Sequence, residues 1–218
     1  MNQIKKIYNV FLEKYGPQGW WPLLDYKGVN PTKTGSVKGY HPGNYSYPKN
    51  ENQRFEICIG AILTQNTSWP QVEKALINLK KLNAINPEKI KNMNINKLCS
   101  AIKSAGYFNQ KAKKLKIFSE FYINLKGKKP TRDELLNIWG IGPETADSIL
   151  LYAYKIPSFV VDAYTIRIFS AIGLIKKDES YQSIKRLFEN SLEKDFRLYQ
   201  EYHALIVEHA KNNKNKKL

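Results

Sequence analysis

Two glycines one residue apart, Gly140 and Gly142, lie within Leu135-Leu-Asn-Ile-Trp-Gly-Ile-Gly-Pro-Glu-Thr-Ala146. Apolar residues on both sides can pack one short helix against the next. Glycine permits positive φ and a close approach of the backbone to another molecule. Successive amides ahead of a helix N-terminus offer a seat for a phosphate oxygen, and such contacts fix position without reading sequence. Taken alone, the same pair serves equally well as a tight turn between packed helices. A second chemical group is Asp162, in Val160-Val-Asp-Ala-Tyr164. It opens a helical pattern carrying Tyr164, Ile166 and Ile168, so its residue type fits an N-cap. Trp20-Trp21-Pro22 is a third, an aromatic pair in a Gly- and Pro-rich loop. It either pins that loop to an apolar surface or stacks on a planar ligand.

The charge balance says what partner these groups would meet. The chain has 218 residues, with 35 Lys and Arg against 19 Asp and Glu, a net charge of +16. Codon bias accounts for Lys outnumbering Arg 30 to 5, but not for the shortage of acids. Between Lys74 and Lys129 there are fourteen lysines and only two acids, Glu88 and Glu120. A polyanionic partner, most simply nucleic acid, follows from that surplus. No apolar run approaches the ~18 residues of a membrane span, so no membrane partner is expected. The N-terminus lacks the roughly 7–15-residue apolar core of a signal peptide, and a cytoplasmic protein is expected. Two cysteines, Cys58 and Cys99, are too few for a four-thiolate metal or iron–sulfur site.

The elements that must position these groups read as helices. Ile4, Ile7, Tyr8, Phe11, Leu12 and Tyr15 recur at spacings of three and four, a helix face. Residues 16–53 lack periodicity and predict a long ordered loop. Phe55 to Leu63 is apolar nearly all round, a buried helix. Ser68-Trp-Pro70 opens another, Asn86-Pro87, Asn94 and Gly106 punctuate two short ones, and Lys111–Leu125 is basic and amphipathic. Thr131 with Glu134 forms a capping box. Pro143 suits the first turn of a helix from Glu144 to Tyr154. Further helices run from Ala163 to Gly173, Tyr181 to Leu192 and Phe196 to Ala210, before a frayed basic tail from Lys211 to Leu218. The fold class is all-α.

With these motifs in order, the chain resembles the helix-hairpin-helix DNA glycosylases of the endonuclease III superfamily. The resemblance spans roughly Phe55 to Lys211. It rests on the hairpin, Ile62-Leu-Thr-Gln-Asn-Thr67, Gly106-Tyr-Phe-Asn-Gln-Lys111 and Val160-Val-Asp-Ala-Tyr164. It implies two helical domains around a cleft, one over residues 47–156 carrying the hairpin, the other from 1–46 plus 157–218. By the resemblance Asp162 is the catalytic carboxylate, and Gly140, Ile141, Gly142 and Thr145 contact DNA. Gln65 and Tyr107 fall where the family fills the gap left by an extruded nucleotide. Lys111, Lys113 and Lys114 are candidates for phosphate contacts.

Two departures narrow that reading. Members that also cleave the strand carry a lysine four residues after the first hairpin glycine, where this chain has Glu144. A carboxylate cannot form the Schiff base that strand cleavage requires. The cysteines that hold an iron–sulfur centre in many relatives are absent from the end of the chain, so no cofactor is expected beyond room for a monovalent cation at the hairpin. Within the superfamily the chain looks most like the 3-methyladenine DNA glycosylase III type, which implies a base pocket of Trp20, Trp21 and Phe55, with Glu144 and Lys211 nearby. An aromatic cage gains ~0.5–2 kcal/mol from a cationic alkylated purine. The expected activity is excision of such a base, 3-methyladenine for one, from double-stranded DNA by a monomer, leaving an abasic site. The rival readings are a glycosylase that also cleaves the strand through another amine, and a non-enzymatic helix-hairpin-helix DNA-binding protein.

Overall fold

The computed structural model describes residues 2–213. Those residues form eleven α-helices and no strand: α1 Gln3–Tyr15, α2 Glu51–Leu63, α3 Trp69–Lys81, α4 Pro87–Asn92, α5 Ile95–Ala101, α6 Phe108–Asn124, α7 Arg132–Leu136, α8 Pro143–Ser148, α9 Ala163–Ala171, α10 Tyr181–Ser191 and α11 Phe196–Asn212. A 3₁₀ turn, Lys103–Ala105, precedes α6, and a π-helical turn, Ile149–Ala153, prolongs α8. The helix starts follow local chemistry. Asn50, Asn86 and Asn94 each accept a backbone N–H from their own first turn. Thr131 and Glu134 close the expected capping box. The tail residues 214–218 lie outside the described residues.

Helices α2 to α8 pack on one another, with α4 and α5 against α6, α3 on the 3₁₀ turn and α2 on both α6 and the π turn. Helices α1 and α9 pack on α11, and α10 meets α1. The π turn touches α11 as well, so it joins the two groups. A single helix was expected from Glu144 to Tyr154; instead it widens after Ser148. All five residues of the wider turn are buried. An apolar stretch buried on every side has no periodicity to reveal an extra residue per turn.

Residues 16–50 form the expected ordered loop, held by buried carboxylates. Glu73 on α3 accepts the backbone N–H groups of Ser36 and Val37 and the Ser36 hydroxyl. Glu56 on α2 accepts from Leu24 N at 2.7 Å, and burial pushes its pKa up to about 7. Glu201 on α11 accepts from Gln18 N at 2.6 Å and the Tyr45 hydroxyl at 2.7 Å. The loop therefore forms one wall of a cleft rather than hanging free.

Candidate active site

The hairpin is built where α7 ends and α8 begins. Gly140 takes φ +84°, and a Cβ there would lie 2.5 Å from Cε of Lys114. The positive φ favours glycine there, and a larger residue would also have to displace the Lys114 side chain. Gln65, in the turn after α2, donates from Nε2 to Gly140 O at 3.1 Å and to Thr145 Oγ1 at 3.0 Å. Lys114 Nζ donates to Gln65 Oε1 at 2.5 Å. Ile141 and Thr145 are buried, whereas Gly142 is exposed.

Beside the hairpin opens a cleft of about 1360 Å³. Its lining includes Gly140, Gly142, Glu144 and Thr145 from the hairpin side, Trp20 and Trp21 from the loop, and Asp162, His203 and Lys211. Asp162 ends the extended segment after the π turn and caps α9. Its Oδ1 accepts from Thr165 N at 2.7 Å and Thr165 Oγ1 at 2.9 Å. Its Oδ2 faces His203 Nε2 at 3.6 Å, an ion-pair distance too long for a formed hydrogen bond. Burial pushes the Asp162 carboxyl up, but His203 and the two Thr165 donors outweigh it and hold the pKa below the usual carboxylate range. Glu144 is exposed and lines the cleft. The protein mass behind its carboxyl and the charge of Asp162 push its pKa up.

The tryptophans form the aromatic wall. The Trp20 ring lies edge-on to Trp21 at 6.2 Å and to His203 at 5.7 Å. Trp21 packs edge-on to Trp69 at 5.7 Å and to Tyr152 at 5.3 Å. Gly60 in mid-helix α2 makes room for it, since a Cβ there would stand 3.1 Å from the Trp21 Nε1. Lys211 Nζ stands 5.9 Å over the Trp20 ring and 3.4 Å from Thr34 Oγ1.

Residues 59–194 match the HhH-GPD superfamily, described as base excision DNA repair proteins. The chain belongs to this superfamily. A relative from Methanocaldococcus jannaschii, whose name ascribes to it a DNA repair glycosylase role, is 44% identical over 98% of this chain and 90% of its own length. Endonuclease III of Sulfolobus acidocaldarius is 31% identical over 75% of each chain. Among solved structures, a 3-methyladenine DNA glycosylase of H. pylori, MagIII, bound to 1,N6-ethenoadenine, superposes with TM-score 0.71 at 29% identity, covering 96% of both chains.

Not every residue expected at the site of this HhH-GPD protein lies there. Phe55 is a correction: it is fully buried, edge-on to Tyr122 of α6 at 5.0 Å, and does not line the cleft. It sits near the start of α2 and faces α6, while the cleft takes Ala61 and Thr64 from the other end. Lys111 is a second correction. It is 2% exposed and donates to Leu63 O at 2.8 Å and Ala105 O at 2.7 Å, so it ties α2 to the 3₁₀ turn and is not open to a phosphate. Burial and neighbouring Lys114 lower its pKa to about 8. Lys113 lies over the half-exposed Trp139 ring at 4.7 Å. Tyr107 is 68% exposed, in left-handed backbone just before α6.

Sequence reasoning missed His203, Tyr152 and Asp147. Asp147, one turn beyond Pro143, is fully buried and accepts from Arg132, Ser158 and Tyr181, with Lys185 at 3.2 Å. An acid directly ahead of the apolar run Ile149-Leu-Leu-Tyr-Ala153 was the available signal for it. Among the described residues no group of three or more His, Cys, Asp or Glu side chains is placed to hold a metal ion. No helix among them is long and apolar enough to cross a membrane.

Proposed function

We propose that the protein is a DNA N-glycosylase of base excision repair that hydrolyses the N-glycosidic bond of an extruded alkylated purine, such as 3-methyladenine, and leaves an abasic site. One observation carries the reading. The buried carboxylate of Asp162 opens on a tryptophan-walled cleft beside Glu144, where a strand-cleaving relative would present a lysine amine. Helices α2 to α8 then correspond to a domain over 47–156, and α1 with α9 to α11 to a domain of 1–46 plus 157–218, with DNA bound across the cleft. Extrusion is needed because a stacked base hides the scissile bond, and unstacking costs a few kcal/mol. Gln65 and Tyr107 fill the gap, the hairpin amides hold the backbone, and the base enters against Trp20 and Trp21.

As the C1′–N bond breaks, its electron pair leaves with the base. Asp162 stabilises the positive sugar or takes the proton of the water that bonds to C1′. An N3-alkylated adenine departs neutral, so no acid is needed to protonate it. With Glu144 at the lysine position, this chemistry ends at the abasic site.

A second reading, excision of an uncharged base, is favoured by Lys211. Its ammonium already stands 5.9 Å over Trp20. That ammonium competes with a cationic base for the ~0.5–2 kcal/mol of cation–π attraction the ring can offer, whereas an uncharged base stacks there without that conflict.

The test is incubation with methylated duplex DNA, chromatography of released bases, and strand cleavage scored before and after alkali. Released 3-methyladenine, breaks only after alkali and no borohydride-trapped adduct support the proposal, and Asp162→Asn abolishes release. If only ethenoadenine, hypoxanthine or a mismatched pyrimidine is released from a parallel panel, the second reading stands. A trapped adduct overturns the monofunctional assignment, and binding with no release from any substrate overturns the enzyme.

A further inference from the structure

The two oxygens of Asp162 are held unequally. Oδ1 has two donors, both from Thr165, and does the work of an N-cap. Oδ2 faces His203 Nε2 at 3.6 Å. That imidazole is itself tightly placed. It is 5% exposed, its ring meets Trp20 edge-on at 5.7 Å, and its Nδ1 is 2.7 Å from the Tyr152 hydroxyl. Tyr152 belongs to the π-helical turn, and its hydroxyl is also 3.2 Å from Gln200 O.

We propose that His203 is a positioning residue for Asp162: held at Nδ1 by Tyr152, it presents a proton on Nε2 to Oδ2 and keeps that carboxylate charged and aimed into the cleft.

Proton counting leads there by two routes. Tyr152 has one hydroxyl proton. If it goes to Nδ1, the neutral ring carries its own proton on Nε2, facing Oδ2. If it goes to Gln200 O, Nδ1–H donates to Tyr152, and Nε2 bears a proton only in the imidazolium. The remaining arrangement, a bare Nε2, sets a lone pair against the carboxylate. Every favourable state with a charged Asp162 therefore has Nε2 protonated. The ionisable groups coupled to Asp162 include Glu144 of α8, whose charge opposes its ionisation, Tyr152 of the π turn and His203 of α11. Against burial and Glu144, His203 and Thr165 favour the charged form. The π turn thereby acquires a role, because it carries the hydroxyl that fixes the ring.

The inference rests on Asp162 being the catalytic carboxylate, so the test has one arm that needs no activity. Asp162 is one of six aspartates. In protein labelled with ¹³C at aspartate carboxyls, its signal is assigned by its absence from Asp162→Asn, and its titration is followed in the free protein. His203→Leu should move the Asp162 midpoint up by about one pH unit, tenfold in the acid constant. The acid limb of base release from methylated duplex DNA should move with it. His203→Gln keeps an N–H donor at the place of Nε2 and should lie between Leu and wild type. Tyr152→Phe leaves the ring but frees Nδ1; it should shift the midpoint the same way by less, and add nothing in the His203→Leu protein. An Asp162 midpoint unchanged in both His203→Leu and His203→Gln overturns the proposal, as does a Gln variant no better than Leu in titration and rate. If His203→Leu does not fold, the Gln and Phe variants decide. If Asp162→Asn still releases base, the catalytic reading of Asp162 fails, while the titration still settles whether His203 governs its charge.

Discussion

Asp147→Asn tests whether the buried charge cluster behind the hairpin holds the segment that delivers Asp162. In the native protein the Asp147 carboxylate takes Nε of Arg132 at 2.9 Å, Ser158 Oγ at 2.6 Å and Tyr181 OH at 2.7 Å, and Lys185 Nζ lies 3.2 Å away. Breaking a buried ion pair from one side costs ~3–5 kcal/mol, because a charge is left without its partner. Two features reduce that figure here: the Arg132 side chain is 27% exposed, and Lys185 keeps Glu189 at 2.8 Å. A loss of roughly 2–4 kcal/mol is therefore expected, which for a chain of this size lowers the melting temperature by roughly 5–15 °C. Burial pushes the Asp147 carboxyl up, but Arg132, Lys185, Ser158 and Tyr181 together hold it below 3.8. A depressed carboxylate contributes its stability above its unfolded value and loses it as pH falls through the folded one. Calorimetry of wild type and variant should thus show the gap whole at pH 7 and narrowing in acid, below about pH 4. A difference under about 2 °C at pH 7, or a gap that widens as pH falls, would refute the reasoning.

Two further substitutions probe the cleft and the DNA face. Gly60→Ala should gain ~0.8–1 kcal/mol of helix propensity, but its Cβ would press on the Trp21 indole at 3.1 Å. The melting temperature therefore does not rise and base release slows; a more stable variant with native turnover would contradict the seating of Trp21. Tyr107→Ala removes a ring that is 68% exposed, so stability should change by less than ~0.5 kcal/mol. Affinity for duplex containing an abasic site should fall by the ~1–3 kcal/mol typical of one base–aromatic stack. Unchanged affinity in a titration by fluorescence anisotropy would remove Tyr107 from the gap-filling role.

Local chemistry was legible in the sequence. Asn86-Pro87, Asn94, the Thr131–Glu134 box and Pro143 each mark a helix start that the structure shows, because capping depends on residues a turn apart. The spacing of Gly140, Glu144 and Asp162 was likewise readable along the chain. Side-chain direction was not. Phe55 and Trp21 are both aromatic and buried, yet one faces α6 and the other the cleft, a matter of which face of α2 meets which neighbour. Lys111 reads like any lysine of a basic helix until the carbonyls of Leu63 and Ala105, 48 and 6 residues away, are brought to it. His203 lies 41 positions beyond Asp162 in sequence, and only the packing of α9 on α11 makes them neighbours.

Gln65 holds both ends of its amide inside the protein, one against Gly140 O and Thr145, the other against Lys114. Under the proposed function it must let go of all three to reach into a duplex. On that reading an undamaged double helix offers no vacancy in return, so the amide keeps its internal partners. Where a base has swung out, the orphaned partner supplies replacement bonds, and the release leaves the Lys114 ammonium and the Gly140 carbonyl at the hairpin without their internal partner. Under the proposed function, telling a damaged site from the vast excess of sound ones thus begins with a handshake the protein keeps with itself until something better is offered.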